Sequence, residues 1–251
     1  MIDLAGRRVV VTGGSRGIGA ACCRLFAQSG AAVLIQYMAS DSKALSVLQE
    51  LRRTSDAPHA AFRCDVTDPD QVCKLFDAAE SRWGGIDCLI NNAGVWVHDP
   101  LAQLRPERLQ ATLSVNVVGA FLAARCAIPL LMGSPDASII NISSTAGQRG
   151  EAFYSAYAAS KGALISATKS WSSELAPQIR VNAVAPGWVD TDMTSDALSG
   201  EQRDAVIASI PLQRIATPED VAGPVVFLAS PLARHITGEI LNVNGGSVLV
   251  G

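Results

Sequence analysis

The chain has 251 residues, of which 49% are hydrophobic, and its mean hydropathy is +0.25. This length and composition can bury one large core, so we expect a single domain over residues 1–251. The 20 basic and 23 acidic residues give a net charge of −3 without a basic block, which argues against a surface for nucleic acid or an anionic membrane.

The N-terminal sequence has no apolar segment followed by a cleavage site, and no later apolar run approaches the length of a membrane span. We therefore predict a cytoplasmic protein with no membrane partner. The six cysteines lack CxxC spacing, which is typical of small apolar fillers in a reducing compartment. The three histidines are scattered, so no metal site is predicted.

Short runs rich in β-branched residues alternate with longer amphipathic segments along the whole chain. This alternation predicts an α/β fold with a parallel sheet and helices on both faces. The seven predicted strands cover residues 8–12, 32–37, 60–64, 86–91, 138–143, 180–185 and 240–243. Helix starts are indicated at Asp68-Pro69 and Thr217-Pro218. Residues 187–212 are more polar, and there we predict a mobile substrate lid.

A glycine-rich turn stands between the first predicted strand and the first predicted helix. Its sequence is Thr12-Gly13-Gly14-Ser15-Arg16-Gly17-Ile18-Gly19. Glycines permit a tight turn and close approach of the backbone to a pyrophosphate, and the helix N-terminus favours an anion. The spacing GxxxGxG differs from the dinucleotide fingerprint GxGxxG, so a glycine-rich turn without a ligand stays open as the alternative.

Tyr157 and Lys161 lie four residues apart in a segment with helical composition, which puts them on one helix face. A tyrosine has a pKa of roughly 10 in water, and a neighbouring positive charge lowers it. Lys161 could supply that charge. An ordinary helix face that carries one tyrosine and one lysine is the alternative interpretation.

Three further motifs stand at the ends of predicted strands. They are Asn-Asn-Ala-Gly at 91–94, Asn-Ile-Ser-Ser at 141–144 and Pro-Gly at 186–187. Together, in this order and over essentially the whole chain, they resemble the short-chain dehydrogenase/reductase family. The resemblance implies a Rossmann-type doubly wound sheet of about seven strands with its site at the carboxyl ends of the strands. It also implies hydride transfer between a nicotinamide and a carbonyl or alcohol carbon.

The resemblance assigns roles to four side chains. Tyr157 would be the general acid/base, and Lys161 would lower its pKa and hold the nicotinamide ribose. Ser144, 13 residues before Tyr157, would bind the substrate oxygen in preference to its neighbour Ser143. Asn116 would anchor a water that leads protons to solvent, although a satisfied buried polar group is the alternative for a mid-helix asparagine. A non-catalytic sensor or scaffold of the same fold is the alternative from another class.

The cofactor is predicted to be NADP(H). Tyr37 stands where family members that prefer NAD carry an aspartate, and Arg16 suits recognition of a 2′-phosphate. Asp65 matches an adenine-binding position but could equally be a turn former. Through the resemblance, the predicted cofactor-binding residues are Gly13, Ser15, Arg16, Gly17, Ile18, Gly19, Tyr37, Asp65, Val66, Asn92, Ala93, Gly94, Tyr157, Lys161, Pro186, Gly187, Val189 and Thr191.

The predicted substrate residues follow the fourth, fifth and sixth strands. They are Ser144, Trp96, Gln148, Arg149, Phe153 and Trp188. Within the family the pattern is most similar to 3-oxoacyl-acyl-carrier-protein reductases, but Pro129 and Ser173 replace arginines that would dock an acidic carrier. We therefore predict a free ketone or secondary alcohol as substrate, with a small ketone, a polyol or an acyl thioester left open and a 3-oxoacyl carrier or acyl-CoA thioester as the alternative.

Oligomerisation is also implied by the resemblance, since the family is usually tetrameric or dimeric. The predicted helices that contain Asn116 and Tyr157 carry apolar residues on more than one face. A monomer would leave part of this surface exposed, so we predict a homotetramer or homodimer.

Overall fold

A computed structural model describes residues 2–249 and contains a seven-stranded parallel sheet in the order β3-β2-β1-β4-β5-β6-β7. The strands are β1 Arg8–Val11, β2 Ala32–Tyr37, β3 Ala60–Arg63, β4 Cys88–Asn91, β5 Ala137–Ile142, β6 Ile179–Pro186 and β7 Ile240–Val243. The seven predicted strands are confirmed. The strand order reverses between β1 and β4, which opens a crevice at the carboxyl ends of these strands.

Helices connect the strands and cover both faces of the sheet. They are α1 Gly17–Gln28, α2 Asp41–Thr54, α3 Pro69–Trp83, α4 Pro106–Leu113, α5 Gly119–Leu131, α6 Thr145–Arg149, α7 Ser155–Glu174, α8 Gly200–Ser209 and α9 Pro218–Ala229. Asp68 accepts hydrogen bonds from backbone N–H groups in the first turn of α3, and Thr217 forms a capping box at α9. Both predicted helix starts are therefore confirmed.

Two cores lie on opposite faces of the sheet because side chains along a strand alternate in direction. In β1, Val9 and Val11 pack in one core with residues of α1, α2 and α9. Val10 faces the other core, which α3 and α5 cover. The strands are nearly continuous apolar runs, as expected when both faces of a parallel sheet are buried. The Rossmann-type doubly wound fold is confirmed.

The segment 187–212 is more ordered than its polar composition indicates. It contains α8, and Leu198, Ile210 and Ile215 form a small buried cluster against which Trp188 packs. The backbone of Leu212 donates a hydrogen bond to Gly245 O at 3.1 Å. The segment is thus a folded cover with a core of its own, and its motion as a lid stays a prediction.

The prediction that no apolar segment approaches the length of a membrane span is wrong for one helix. α4, a π-helical turn at Ser114–Val118 and α5 form one continuous helix, Pro106–Leu131, that is long and apolar enough to cross a membrane by length and composition. Strictly apolar runs in the sequence are shorter because polar residues interrupt them. Ala123, Ala127 and Leu131 of this helix are buried in the core beneath the sheet, as in the core helix of a folded domain.

The cysteines are mostly buried among apolar side chains, as predicted for filler residues. Cys73 on α3 and Cys126 on α5 differ, because they are only partly buried and their Sγ atoms lie 3.2 Å apart. Their separation along the chain concealed this contact. Within residues 2–249, no group of three or more His, Cys, Asp or Glu side chains could hold a metal ion.

Candidate active site

Buried hydrogen bonds fix the glycine-rich turn between β1 and α1. Gly13 N donates to Gln36 Oε1 at 2.7 Å, and Gly14 N donates to Gln36 O at 2.9 Å. The Gln36 amide also donates to Cys64 O at 2.5 Å. Gln36 therefore ties the turn to the ends of β2 and β3. The sequence prediction missed this residue, although a glutamine inside a buried apolar strand could have indicated such a role.

Close backbone contacts explain the glycines of this turn. A Cβ atom at Gly19 would lie 2.3 Å from Gly13 O, and one at Gly13 would lie 3.0 Å from Ala93 Cα. Gly13 also has a φ of 65°, which glycine adopts without strain. Arg16 is the N-cap residue of α1 and provides no side-chain hydrogen bond to the first N–H groups of the helix. Those donors are oriented as a phosphate site requires.

The segment after β4 packs directly against the glycine-rich turn. Thr12 Oγ1 accepts hydrogen bonds from Asn92 N at 2.9 Å and Ala93 N at 3.0 Å. The Asn92 amide donates to Thr12 O at 2.8 Å and to Gly13 O at 3.1 Å. A Cβ atom at Gly94 would lie 3.4 Å from the Nζ atom of Lys161. This segment therefore connects the turn to the candidate catalytic residues.

Tyr37 and Asp65 stand at the ends of β2 and β3, where the adenosine half of a dinucleotide is predicted. Burial, with a smaller effect of the nearby Asp41 carboxylate, raises the pKa of the Tyr37 phenol. Asp65 Oδ1 accepts hydrogen bonds from the backbone and hydroxyl of Thr67 at 2.9 and 2.8 Å. Asp65 thus forms the turn that was its alternative role, and Val66 beside it is buried.

The remaining predicted cofactor residues flank this crevice. Thr191 lies next to the glycine-rich turn, because its Cγ2 atom would be 3.4 Å from a Cβ atom at Gly17. Val189 forms an isolated parallel bridge with Ala216. Pro186 ends β6, and Gly187 after it lines the catalytic cavity. On the other side, Ser15 is buried in the turn and Ile18 is half-buried in the first turn of α1.

Tyr157 and Lys161 both lie on α7, as their spacing predicts. The Nζ atom of Lys161 is 5.8 Å from the centroid of the Tyr157 ring and donates a hydrogen bond to Ile142 O at 2.7 Å. The lysine is 4% exposed, so its charge is enclosed by the protein. The pair therefore combines a phenol at the cavity wall with an ammonium group buried behind it.

Burial is the main influence on the titration of this pair. It raises the pKa of Tyr157 to about 12, against the lowering effect of a hydrogen bond with Ser144, and the Glu151 charge raises the pKa further. Burial lowers the pKa of Lys161 to about 8. Lys161 is not among the groups that lower the Tyr157 pKa; its ammonium group donates to Ile142 O and lies 5.8 Å from the centroid of the phenol ring. At neutral pH the phenol is protonated and the ammonium is charged.

The two consecutive serines after β5 point in different directions. Ser144 is the N-cap residue of α6, accepts a hydrogen bond from Ala146 N at 3.1 Å, and lines one cavity with Tyr157. Ser143 is buried and donates to Lys161 O at 2.8 Å. Ser144 is thus the serine that a substrate oxygen can reach.

Asn116 is fully buried in the π-helical turn between α4 and α5. Its Oδ1 accepts from Val95 N at 2.8 Å, and its Nδ2 donates to Val95 O at 2.9 Å and to Ser160 Oγ at 3.0 Å. The side chain is therefore a satisfied buried polar group that fixes the segment after β4 against α7. Such π turns are frequent at functional sites.

A cavity of about 70 Å³ lies against Tyr157 and Ser144. It is lined by Trp96, Ser144, Thr145, Ala146, Arg149, Glu151, Tyr157, Gly187, Trp188, Met193 and Thr194. Trp96, Arg149 and Trp188 are thus brought to Ser144, as the predicted substrate set requires.

Gln148 and Phe153, the other two predicted substrate residues, do not line this cavity. α6 turns the Gln148 side chain toward β7, where Nε2 donates to Asn242 Oδ1 at 2.6 Å. Phe153 has a φ of 67°, is 63% exposed, and lies against His98 with ring centroids 6.0 Å apart. The direction of a short helix and one left-handed residue move these side chains away, and neither is evident from strand-end position alone.

Aromatic rings form one wall of the cavity. Trp96 stacks on Tyr154 with centroids 4.2 Å apart and an angle of 5°, and Trp188 meets Trp96 edge-on at 6.0 Å. Glu151 Oε2 accepts a hydrogen bond from Trp96 Nε1 at 3.3 Å. Glu151, Met193 and Thr194 were missed because they belong to loops without a motif, and Thr145 and Ala146 were missed because nothing in the sequence marks the first turn of α6 as part of the cavity.

Comparison with known proteins agrees with this geometry. Residues 13–247 match a family model described as enoyl-(acyl carrier protein) reductase. The chain belongs to the short-chain dehydrogenase/reductase family. Two relatives named 3-oxoacyl-acyl-carrier-protein reductase come from Thermotoga maritima and Vibrio cholerae. They are 36% and 37% identical, over 98% and 99% of this chain and 99% and 100% of their own lengths.

Solved structures from this family share the whole fold. A short-chain dehydrogenase/reductase from Brucella melitensis is 34% identical, covers 99% of each chain and has a TM-score of 0.91. A short-chain dehydrogenase from Burkholderia cenocepacia in complex with NADP is 37% identical, covers 97% of this chain and 98% of its own, and also has a TM-score of 0.91. These relatives confirm the predicted family and its enzyme class, so the chain is an oxidoreductase.

Proposed function

We propose that the protein interconverts a ketone and a secondary alcohol with NADP(H), using Tyr157 as the general acid/base. The observation that carries this proposal is the shared cavity of Ser144 and Tyr157 with Lys161 buried behind the phenol. These groups bracket one position where a reacting oxygen can accept a hydrogen bond and a proton.

The residues at the carboxyl ends of the strands fit a dinucleotide phosphate cofactor. The glycine-rich turn and the N-terminus of α1 suit its pyrophosphate, and Arg16 suits its 2′-phosphate. The end of β2 carries Tyr37 rather than an acid that would repel that phosphate. NADP in the Burkholderia cenocepacia relative supports the choice. When bound, the reduced cofactor would supply the hydride for the carbonyl carbon.

In the direction of reduction, negative charge develops on the substrate oxygen. The Ser144 hydroxyl would donate a hydrogen bond to it, and the Tyr157 phenol would transfer its proton. The raised pKa of Tyr157 keeps this proton on the phenol at neutral pH. The Lys161 charge would then stabilise the phenolate left behind. Oxidation of the alcohol uses the same groups in reverse.

A 3-oxoacyl-acyl-carrier-protein reductase is the second candidate, favoured by the names of the relatives. Against it stand the small cavity with aromatic walls and the exposed Pro129 and Ser173 where that group commonly carries arginines. An acidic carrier protein binds best beside a basic patch. We therefore favour a free ketone or alcohol.

The test is Tyr157→Phe, which removes only the phenol hydroxyl. We expect kcat for ketone reduction to fall by about 10²–10⁴-fold, the usual contribution of a general acid. NADPH binding, measured by fluorescence titration, should be retained. Tyr154→Phe removes a neighbouring hydroxyl and is the matched control, with activity expected to change by no more than about threefold. Wild-type turnover by Tyr157→Phe would refute the mechanism.

We also propose that α5 and α7 pack against a second copy of the chain. Phe121 is 45% exposed and meets Trp171 edge-on with centroids 4.8 Å apart, beside a groove of about 350 Å³. The groove carries both Arg125 and Glu174, so two copies related by a twofold axis can offer each other opposite charges. Phe121→Asp should lower the mass measured by light scattering; an unchanged oligomer, or a monomeric wild type, would contradict the assignment.

A further inference from the structure

Glu151 is an acidic residue in the wall of the catalytic cavity. It lies in the short loop between α6 and α7, and it shares the cavity with Ser144 and Tyr157. Its carboxylate accepts one hydrogen bond, from Trp96 Nε1 at 3.3 Å. An ionised carboxylate has about four acceptor positions, so Glu151 can accept further hydrogen bonds from a ligand.

The environment of Glu151 leaves its charge only partly compensated. Burial raises the pKa of Glu151, while the Trp96 hydrogen bond and the charge of Arg149 act in the opposite direction. Among residues 2–249, Glu151 has no ion pair within 4.0 Å, although Arg149 lines the same cavity. Burying a carboxylate is unfavourable unless donors satisfy it, so a ligand that donates a hydrogen bond is favoured here.

The other charges around the cavity indicate which donor fits. Lys161 is buried behind Tyr157, and Arg149 lies at the cavity wall. A cationic substrate would be repelled by these two groups, and an anionic substrate would be repelled by Glu151. A neutral hydroxyl group can donate a hydrogen bond to the Glu151 carboxylate and is repelled by none of these charges. It is also small enough for a cavity whose walls include two tryptophan rings.

The volume of the cavity favours a small substrate. A volume of about 70 Å³ admits on the order of five water-sized groups, since each needs about 10–15 Å³. Tyr157 and Glu151 line this one cavity, so a compact substrate that carries both a carbonyl and a hydroxyl group can contact both side chains.

We propose that Glu151 binds a hydroxyl group of the substrate, and that the enzyme acts on compact hydroxyketones with the hydroxyl one or two carbons from the carbonyl. The proposal rests on the proposed function of the same site. Glu151 would select the substrate, while Ser144 and Tyr157 would handle the reacting oxygen. Reduction adds a hydride to the carbonyl carbon and a proton from Tyr157 to its oxygen, so the product is a diol and the hydroxyl at Glu151 is unchanged.

The experiment compares hydroxyacetone with 2-butanone, which has the same number of heavy atoms but no hydroxyl. Wild-type enzyme with NADPH should show kcat/KM for hydroxyacetone at least about tenfold above that for 2-butanone, as expected for one hydrogen bond to a charged group. Glu151→Leu should bring this ratio close to one, and Glu151→Gln should give an intermediate ratio. kcat/KM for 2-butanone is the internal reference in each variant, so that any effect of the lost Glu151 charge on Tyr157 cancels in the ratio.

Controls separate loss of recognition from loss of fold. Glu80→Leu, an equivalent change at an exposed position of α3, should keep the wild-type ratio. The melting temperature and NADPH affinity of the Glu151 variants should match those of the wild type. If Glu151→Leu does not fold, the ratio in Glu151→Gln and the wild-type comparison itself still decide the result.

Several outcomes would overturn the inference. Equal use of the two ketones by the wild type, or an unchanged ratio in the Glu151 variants, would exclude a hydroxyl site at Glu151. Preference for aminoacetone over hydroxyacetone would replace the neutral donor with a cationic one. Reduction of acetoacetyl-CoA without reduction of hydroxyacetone would overturn this inference while a reductase function stands. Failure to reduce any of these carbonyls with NADPH would contradict the proposed function as well.

Discussion

The cofactor half and the substrate half of the crevice are held in different ways. In the cofactor half, Gln36, Thr12 and Asn92 tie the glycine-rich turn to the ends of three strands through buried hydrogen bonds. In the substrate half, Trp96 and Glu151 lie on loops and are held by ring stacking and one longer hydrogen bond. The cofactor half is formed by the ends of the strands, whereas the substrate half is formed by loops that pack beside the sheet.

Because of this difference, the two halves tolerate amino-acid substitutions to different extents. The shape of the cofactor half depends on glycine conformations and satisfied buried polar groups, so most substitutions there disturb the fold locally. Loop side chains in the substrate half can change with little effect on the sheet. The Lys161–Tyr157 pair lies on α7 between the two halves, and in the proposed mechanism it would serve any carbonyl that reaches it.

Among changes that compare the two halves, the largest expected effect comes from disrupting the cofactor half at Gly19. In Gly19→Ala the new Cβ would meet Gly13 O at 2.3 Å, so the glycine-rich turn must shift. Loss of two or more hydrogen bonds to phosphate should weaken NADPH binding by at least about 100-fold. Isothermal titration calorimetry measures this. Gly133→Ala is the control, because a Cβ there meets no atom within 4 Å and its affinity should be unchanged.

The same contrast explains what the sequence could predict. The glycine-rich turn and the shared helix face of Tyr157 and Lys161 follow from local geometry, and Ser144 was predicted through the resemblance to the family; the structure brings these residues to the same end of the sheet. Gln36 and Glu151 escaped prediction because their roles depend on long-range contacts. A glutamate in a loop between two helices is usually solvated, whereas this one bonds to Trp96 and lines a cavity.

A second prediction concerns Arg16, the exposed arginine of the glycine-rich turn in the cofactor half. Arg16→Ala should reduce kcat/KM with NADPH by about 10–100-fold through loss of a charge-assisted phosphate contact, and should leave the value with NADH nearly unchanged. Arg53→Ala, at an exposed position near the end of α2, is the control and should change neither value. Equal use of both cofactors by the wild type would contradict the charge argument.

The smallest predicted effect concerns pH and belongs to the pair between the two halves. Burial lowers the pKa of Lys161 to about 8, so its ammonium form is present below that pH and is lost above it. The Tyr157 phenol, with a pKa of about 12, stays protonated throughout this range. kcat/KM for NADPH in ketone reduction, which reports the free enzyme, should therefore fall about tenfold per unit well above pH 8. A profile that is flat to pH 9.5 would show that the ammonium charge is dispensable.

Stability provides an independent check on the same titration. An unfolded lysine keeps its proton up to a pKa of about 10.4, whereas folded Lys161 loses it near 8. Between these values the unfolded chain binds more protons, so this group makes the free energy of unfolding rise with pH. In Lys161→Met that contribution should be absent from urea unfolding curves recorded from pH 8 to 10. Equal slopes in both proteins would mean that Lys161 titrates normally, and its charge could then assist Tyr157 across the whole range.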